Sequence, residues 1–276
     1  MNNNKNILIL GASGFIGRTL YKELSPYFNV YGTYRTPARY YNENQQYIHW
    51  NFHYDPIQDL LHSIQPKIII HCLKGDFKAL HENYQALLHY INKNETKFIQ
   101  FSTANVFDAF TNYPNYEYDK TFSTSIYGKF QIQIENALFH LPTYKYIIAR
   151  VPMLYGLNSP RIQEILKNYK NKEAIEVFPK VIINAASVNM LSLQIHFMIN
   201  QHYGGVYHLG SKNLVHHEDL ILEICEKLDL DNPLLRRVYN SNQDRYLALL
   251  TKNKLPEHLR YDLDKVITDS TNSIKF

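Results

Sequence analysis

NILILGASGFIGRTL, residues 6–20, decides how the rest of this chain is read. The apolar run Ile7–Leu10 is a strand. It leads into glycines at 11, 14 and 17, after which the pattern turns helical at Phe15, Ile16, Leu20 and Leu24. Strand, tight glycine turn and helix start are the three parts of a dinucleotide-phosphate site. The turn lets main chain approach a pyrophosphate, and the helix start offers free N–H groups and the positive end of its dipole. The spacing is GxxGxxG, with Ser13 as an added hydroxyl donor. The chain holds 10 glycines, and Gly11, Gly14 and Gly17 gather at the end of the first strand. On this reading Gly11, Ser13, Gly14, Phe15, Ile16 and Gly17 form a cofactor cradle.

Composition narrows the class. The chain of 276 residues is 45% hydrophobic and 20% charged, as in a globular protein with one large domain or two lobes. No apolar run approaches the roughly 20 residues that span a bilayer, and the polar start MNNNKN is no secretory signal. Two cysteines, Cys72 and Cys225, build no disulfide framework. The expected location is the cytoplasm. The net charge of +4 is spread without a Lys/Arg block, so neither nucleic acid nor membrane is expected as a partner.

Elements alternate along the chain. Strands are expected at 6–10, 29–34, 47–50, 67–72, 97–102 and 145–151, with helices at 15–24, 56–64, 77–92 and 126–140. KIIIHC, 67–72, is a continuous apolar strand of the kind buried on both faces of a parallel sheet. Such alternation predicts an α/β fold, a Rossmann-type doubly wound parallel sheet. Beyond Tyr155 the pattern changes to helices at 160–169, 188–200 and 217–228, short strands at 175–183, a strand at 205–209 and an irregular final 45 residues. The division expected is a Rossmann domain of 1–155 plus about 181–210. A smaller C-terminal substrate-binding lobe would take about 156–180 and 211–276.

Ligands of such sheets bind outside the carboxyl ends of the strands. After the second strand comes Arg35, where a carboxylate would favour NAD; the arginine instead suits a 2′-phosphate, so NADP(H) is the expected cofactor. Asn51 and Phe52 follow the third strand and are placed to edge an adenine ring. Cys72, Leu73 and Lys74 follow the fourth, and Ser102 to Phe107 the fifth. Arg150 has two readings, a phosphate ligand or a partner inside the fold.

These residues carry a resemblance. GASGFIG at 11–17, STANVFDAF at 102–110 and IYGKFQIQIE at 126–135 resemble the extended short-chain dehydrogenase/reductase superfamily. ARVPMLYG at 149–156, GVYHLGS at 205–211 and RYLALLTKNKL at 245–255 are similar, in order, to the dTDP-4-dehydrorhamnose reductase family. The resemblance implies hydride transfer from NADPH to C4 of a 4-keto-6-deoxy nucleotide sugar, in polysaccharide precursor synthesis. It makes Tyr127 the acid, Thr103 the hydroxyl that orients the carbonyl, and Val106, Phe107 and Arg150 substrate-side residues. It also expects a lysine one helical turn after the tyrosine, to lower the phenol pKa and hold the nicotinamide ribose.

That position is Gln131. Glutamine can hydrogen-bond ribose but carries no charge. Lys129 lies roughly 200° round the helix from Tyr127 and is no substitute. Glu135 keeps the register of the resemblance. Lys74, on another loop, has the charge but no spacing argument.

Other chemistries fit less well. His216–His217–Glu218 lacks metal-ligand spacing, so no metal is expected. Ser102 lacks the GxSxG elbow, and Asp108 and Glu117 form no glycosidase pair. Two functions remain: an NADPH-dependent reductase, or a catalytically impaired relative that keeps its pockets as a binding and regulatory module. An epimerase or dehydratase is the third choice, since Ala104 stands where a dehydratase needs an acid. The expected partners are a nucleotide sugar and a second copy or partner enzyme.

Overall fold

Ile7, Leu8, Ile9 and Leu10 are completely buried, as a strand covered on both faces must be. In the computed structural model, which describes residues Asn3–Asn272, they form most of β1 (Asn3–Leu10). In chain order α1 (Phe15–Leu24), β2 (Phe28–Tyr34), α2 (Arg39–Asn42), β3 (Tyr47–His49), α3 (Ile57–Ile64), β4 (Ile68–His71), α4 (Phe77–Lys93) and β5 (Lys97–Thr103) follow. Then come α5 (Ile126–Leu138), β6 (Tyr146–Val151), β7 (Met153–Tyr155), α6 (Pro160–Lys170), β8 (Ile175–Val177), β9 (Val181–Ile183), β10 (Ala185–Ser187) and α7 (Val188–Asn200). The chain closes with β11 (Gly205–His208), β12 (Val215–His216), α8 (His217–Lys227), β13 (Leu235–Arg237), β14 (Arg245–Leu247) and α9 (Leu263–Thr271).

A seven-stranded sheet has the order β11-β6-β5-β4-β1-β2-β3. β1 pairs in parallel with both β2 and β4, with Ile7 opposite Val30 and Ile68. After β1 the chain builds outward to β3, then returns to place β4 on the other side. The strand order therefore reverses between β1 and β4, the switch point where doubly wound sheets bind ligands. The expected doubly wound α/β fold is the one observed.

Two compact units make up the chain. The first contains the chain to Ser102, with Phe130–Ala149 and Ile195–Val206; the second contains Thr103–Lys129, Arg150–Gln194 and Tyr207 onward. The core of the first packs Leu8, Leu10, Ile69, Phe98 and Ile148 of the sheet against Leu60, Leu87 and Leu138 of the helices. Helix α4 begins on Asp76, whose carboxylate accepts from the main-chain N–H of Lys78 at 2.7 Å, and it buries Leu80, Tyr84, Leu87 and Ile91 at helical spacing. The second unit has its own core, in which Tyr155, Ile162 and Val177 meet Leu220, Ile224 and Val266.

The final segment departs from the sequence expectation. Residues 263–271 form a helix with Leu263, Val266 and Ile267 buried, and β13 and β14 pair with β8 and β9. The helical apolar spacing is there, but Asp264, Asp269, Ser270 and Thr271 dilute it. Burial of Ser270 and Thr271 becomes possible because their hydroxyls donate to the carbonyls of Val266 and Ile267 at 2.6 and 2.9 Å. Among the described residues no helix is long and apolar enough to cross a membrane.

Candidate functional site

The glycine turn lies wholly in the first unit. Gly11 has φ +83°, a conformation that side chains rarely adopt, and its carbonyl accepts from Gly14 N–H at 3.0 Å. A Cβ at Gly17 would collide with the main chain of Gly11 and with the Cα of Ala12, at 2.7 Å. Only glycine lets α1 start so close to the strand end. Gly14 is the N-cap and makes no side-chain cap, so the first N–H groups of α1 have no side-chain acceptor there. Ser13 is half-buried and Gly14 exposed beside them. Such a backbone nest fits a phosphate by donor direction and by dipole.

Neighbouring strands complete the cradle with residues that glycine spacing does not reveal. Thr33 of β2 accepts the Gly11 N–H at 2.8 Å. Gly32 faces Ala12, where a Cβ would meet the alanine Cβ at 2.6 Å. Leu73 and Cys72 lie against Gly11, within 3.1 and 3.3 Å of where its Cβ would be. The only hint of Gly32 was a glycine inside a strand. For Thr33 there was none.

The remaining residues expected at the cofactor lie at the strand ends. Arg35 is exposed just beyond β2. Asn51 is half-buried, with its main-chain N–H bonded to Asp55 at 2.7 Å. Phe52 is 7% exposed and packs in the core, its ring close to Gly75. Lys74 is exposed, and desolvation pushes the Cys72 thiol up, which leaves it a neutral group.

Gln131 is buried. Its Oε1 accepts from Nε2 of Gln100 at 3.2 Å, and Oε1 of Gln100 accepts from the Tyr84 hydroxyl at 2.6 Å. That hydroxyl lies 3.0 Å from Nδ1 of His71. Next on α5, Glu135 is fully buried and accepts from Ser102 at 2.5 Å. The glutamine thus belongs to a polar chain inside the first unit, one that nothing in the local sequence announces.

The second unit holds Thr103 and Tyr127. Thr103 starts a short 3-10 turn, Ala104–Phe107; its hydroxyl accepts from Asn105 N–H at 3.2 Å and donates to Asn105 Oδ1 at 3.1 Å. Gly128, beside the half-buried Tyr127, lets the start of α5 abut this turn, since a Cβ there would strike the Asn105 carbonyl and the Ser123 hydroxyl. The Asp108 carboxylate anchors the approach to α5. It accepts from the Thr124 N–H at 2.7 Å and the Ser123 hydroxyl at 2.9 Å. Desolvation works to raise its pKa, but the hydrogen bonds from Ser125, Thr124 and Ser123 prevail and hold it low.

Val106 and Phe107, expected on the substrate side, are 0% and 1% exposed and serve as core. Of the two readings of Arg150, the structure has the internal one. Its guanidinium is 5.0 Å from the Phe107 ring centroid, donates to the Glu117 carbonyl at 3.0 Å, and lies 3.4 Å from His208 Nε2. The Glu117 carboxylate accepts from the Thr251 hydroxyl at 2.6 Å and the Lys252 N–H at 2.9 Å, which pins the segment after β14. His216 and His217 bond to the main chain of Pro179 and Phe178, and among the described residues no group of metal-binding side chains occurs.

The model of the RmlD substrate binding domain matches residues 5–254. The chain belongs to that family. Its RmlD-like fold recurs in solved structures at low identity. The dTDP-4-dehydrorhamnose reductase of Bacillus anthracis, in complex with NADP, is 18% identical, has a TM-score of 0.74 and covers 96% of each chain. The enzyme WbmH of Bordetella bronchiseptica, in complex with NAD+, is 16% identical, has a TM-score of 0.77 and covers 96% of this chain and 97% of its own. In sequence, the methionine adenosyltransferase 2 subunit beta of Bos taurus is 24% identical over 263 residues, which are 86% of this chain and 76% of the relative. The family thus stands in the short-chain dehydrogenase/reductase group expected from the motifs at 11–17, 102–110 and 126–135.

Proposed function

We propose that this protein binds NADP(H) and reduces the keto group of a nucleotide sugar of the 4-keto-6-deoxy class. The observation that carries the reading is the glycine cradle, in which Gly17 admits no side chain and the start of α1 lacks a side-chain cap. Membership of the RmlD family and the NADP in the Bacillus anthracis reductase structure support it. Gly11, Ser13, Gly14 and the α1 start hold the pyrophosphate. Arg35 pairs with the 2′-phosphate, Asn51 and Phe52 edge the adenine, and Cys72, Leu73 and Lys74 line the path beyond Gly11. The bound cofactor supplies the hydride.

This chain's residues supply the proton and the orientation. Thr103 turns its hydroxyl from Asn105 to the substrate carbonyl, and Tyr127 delivers the proton as charge develops on oxygen. Gln131 donates to the nicotinamide ribose. Val106, Phe107 and Arg150 back the Thr103 turn from within the second unit.

Gln131 is uncharged and so brings no cation of its own to the tyrosine.

A second reading, a binding and regulatory subunit without turnover, is favoured by the same glutamine and by the likeness to methionine adenosyltransferase 2 subunit beta. Absorbance at the reduced-nicotinamide band, followed with a panel of 4-keto-6-deoxy nucleotide sugars, separates the two. Turnover that Tyr127→Phe lowers by about 100-fold or more, with NADPH binding retained, establishes the reductase. NADPH binding with no turnover across the panel overturns this substrate class and favours the binding subunit.

A further inference from the structure

Four side chains of the first unit, His71, Tyr84, Gln100 and Gln131, form one continuous hydrogen-bonded chain, and the direction of every bond in it follows from one main-chain carbonyl. Gln100, in the middle of β5, is 1% exposed and places its amide 2.7 Å from the carbonyl of Phe101. A carbonyl only accepts, so the Gln100 atom facing it is Nε2. The same nitrogen faces Gln131 at 3.2 Å, and the Gln131 atom there must be an acceptor, its Oε1. On the other side Oε1 of Gln100 receives the single proton of the Tyr84 hydroxyl at 2.6 Å. With that proton engaged, the Tyr84 oxygen accepts, and His71 Nδ1 at 3.0 Å carries the hydrogen.

His71 is then a neutral imidazole with its proton on Nδ1 and a bare lone pair on Nε2. Two observations agree. Nε2 is buried and has no hydrogen-bond partner, which costs less for a lone pair than for an N–H. Burial also pushes the His71 pKa down to about 3. At the far end, Gln131 has its carbonyl committed to Gln100, so what it turns away from the network is its NH₂ group.

We infer that His71, Tyr84 and Gln100 are positioning residues that lock the Gln131 amide so that it presents only donors to the nicotinamide ribose hydroxyls of the bound dinucleotide. This rests on the cofactor reading above. A glutamine left to itself offers an acceptor as readily as a donor; the relay removes that choice. The amide then reproduces the donor-only character of an ammonium group without its charge. It also means that Gln131→Lys alone is a poor repair, because a lysine leaves the second N–H of Gln100 without an acceptor.

The test uses calorimetric titration of the intact protein with NADP+ and with adenosine 2′,5′-bisphosphate, which lacks the nicotinamide ribose. Tyr84→Phe and Gln100→Met are each expected to weaken NADP+ about fivefold to tenfold, the effect of one misoriented hydrogen bond, and to leave the bisphosphate within about twofold. Unchanged NADP+ affinity in both folded variants overturns the relay, as does an equal loss for both ligands. Wild-type protein that binds the bisphosphate but gains nothing from the nicotinamide half overturns the relay and leaves the cradle standing. Protein that binds neither ligand overturns the cofactor reading and the ligand role of the relay together. A ligand-free readout stands beside these: ¹⁵N spectra of the imidazoles at pH 7 are expected to show His71 protonated at Nδ1 alone. An Nε2–H tautomer breaks the relay whatever the ligands do.

Discussion

Gly128, in the first turn of α5, lies so close to the main-chain oxygen of Asn105 that no side chain fits between them. Asn105 in turn holds the Thr103 hydroxyl. The absence of one Cβ therefore sets the distance between the tyrosine-bearing helix start and the threonine turn. Gly128→Ala is expected to destabilise the protein by about 1–3 kcal/mol, because the Asn105 main chain stands in the way together with the Ser123 side chain. Denaturant unfolding measures this. A variant as stable as wild type shows that α5 shifts without cost.

The cradle predicts a sharper separation of stability from binding. Gly17→Ala pushes α1 away from the Gly11 turn, so NADP+ is expected to lose its stabilising effect on thermal unfolding. Wild type should gain about 2.7 kcal/mol when free ligand is at 100 times Kd. Retained stabilisation in the variant removes the phosphate from this turn.

Under the proposed function, cofactor choice rests on one exposed side chain, Arg35. Arg35→Asp removes the cation and supplies a carboxylate, so the preference for NADPH over NADH should fall and reverse. Titration of intrinsic fluorescence with both cofactors gives the ratio. Equal affinity of wild type for the two refutes the role of Arg35.

Acid should loosen the fold through buried histidines. Burial pushes His71 down to about 3 and His208 and His217 to about 4, against an ordinary value of about 6.5. Below pH 6.5 the unfolded chain takes up protons that these folded imidazoles refuse. Their contribution is therefore complete above about pH 6.5 and is lost as pH falls toward 4. Tm is expected to be level from pH 7 to 8 and to drop through that window. His208→Asn should flatten part of the drop, and a Tm that rises on acidification contradicts the assignment.

Much of this protein is legible residue by residue. Ile7–Leu10 and Ile68–His71 read as buried parallel strands because apolar runs that short suit little else, and Gly11–Gly17 reads as a nest because glycine spacing is itself a backbone conformation. α9 was hidden, since it buries Ser270 and Thr271, whose hydroxyls make their hydrogen bonds within their own helix. The partnership of Gln131 was hidden for a different reason. His71, Tyr84 and Gln100 come from two strands and a helix, and only the sheet places β4 beside β5 under α4. The substrate-side expectation for Val106, Phe107 and Arg150 met the same limit, because neither a position after a strand end nor one inside a strand says whether a side chain faces solvent or core.

What the chain determined by itself was local: strand, turn and helix at 6–20, the family pattern, and a glutamine where a lysine is expected. These follow from short-range sterics and periodicity. Tertiary structure decided what that glutamine is, a buried amide whose carbonyl is held by Gln100, and what Arg150 is, a guanidinium folded against Phe107. Both are matters of which distant groups share a low-dielectric interior, where every donor must find its acceptor, and that pairing is settled only when the strands and helices pack.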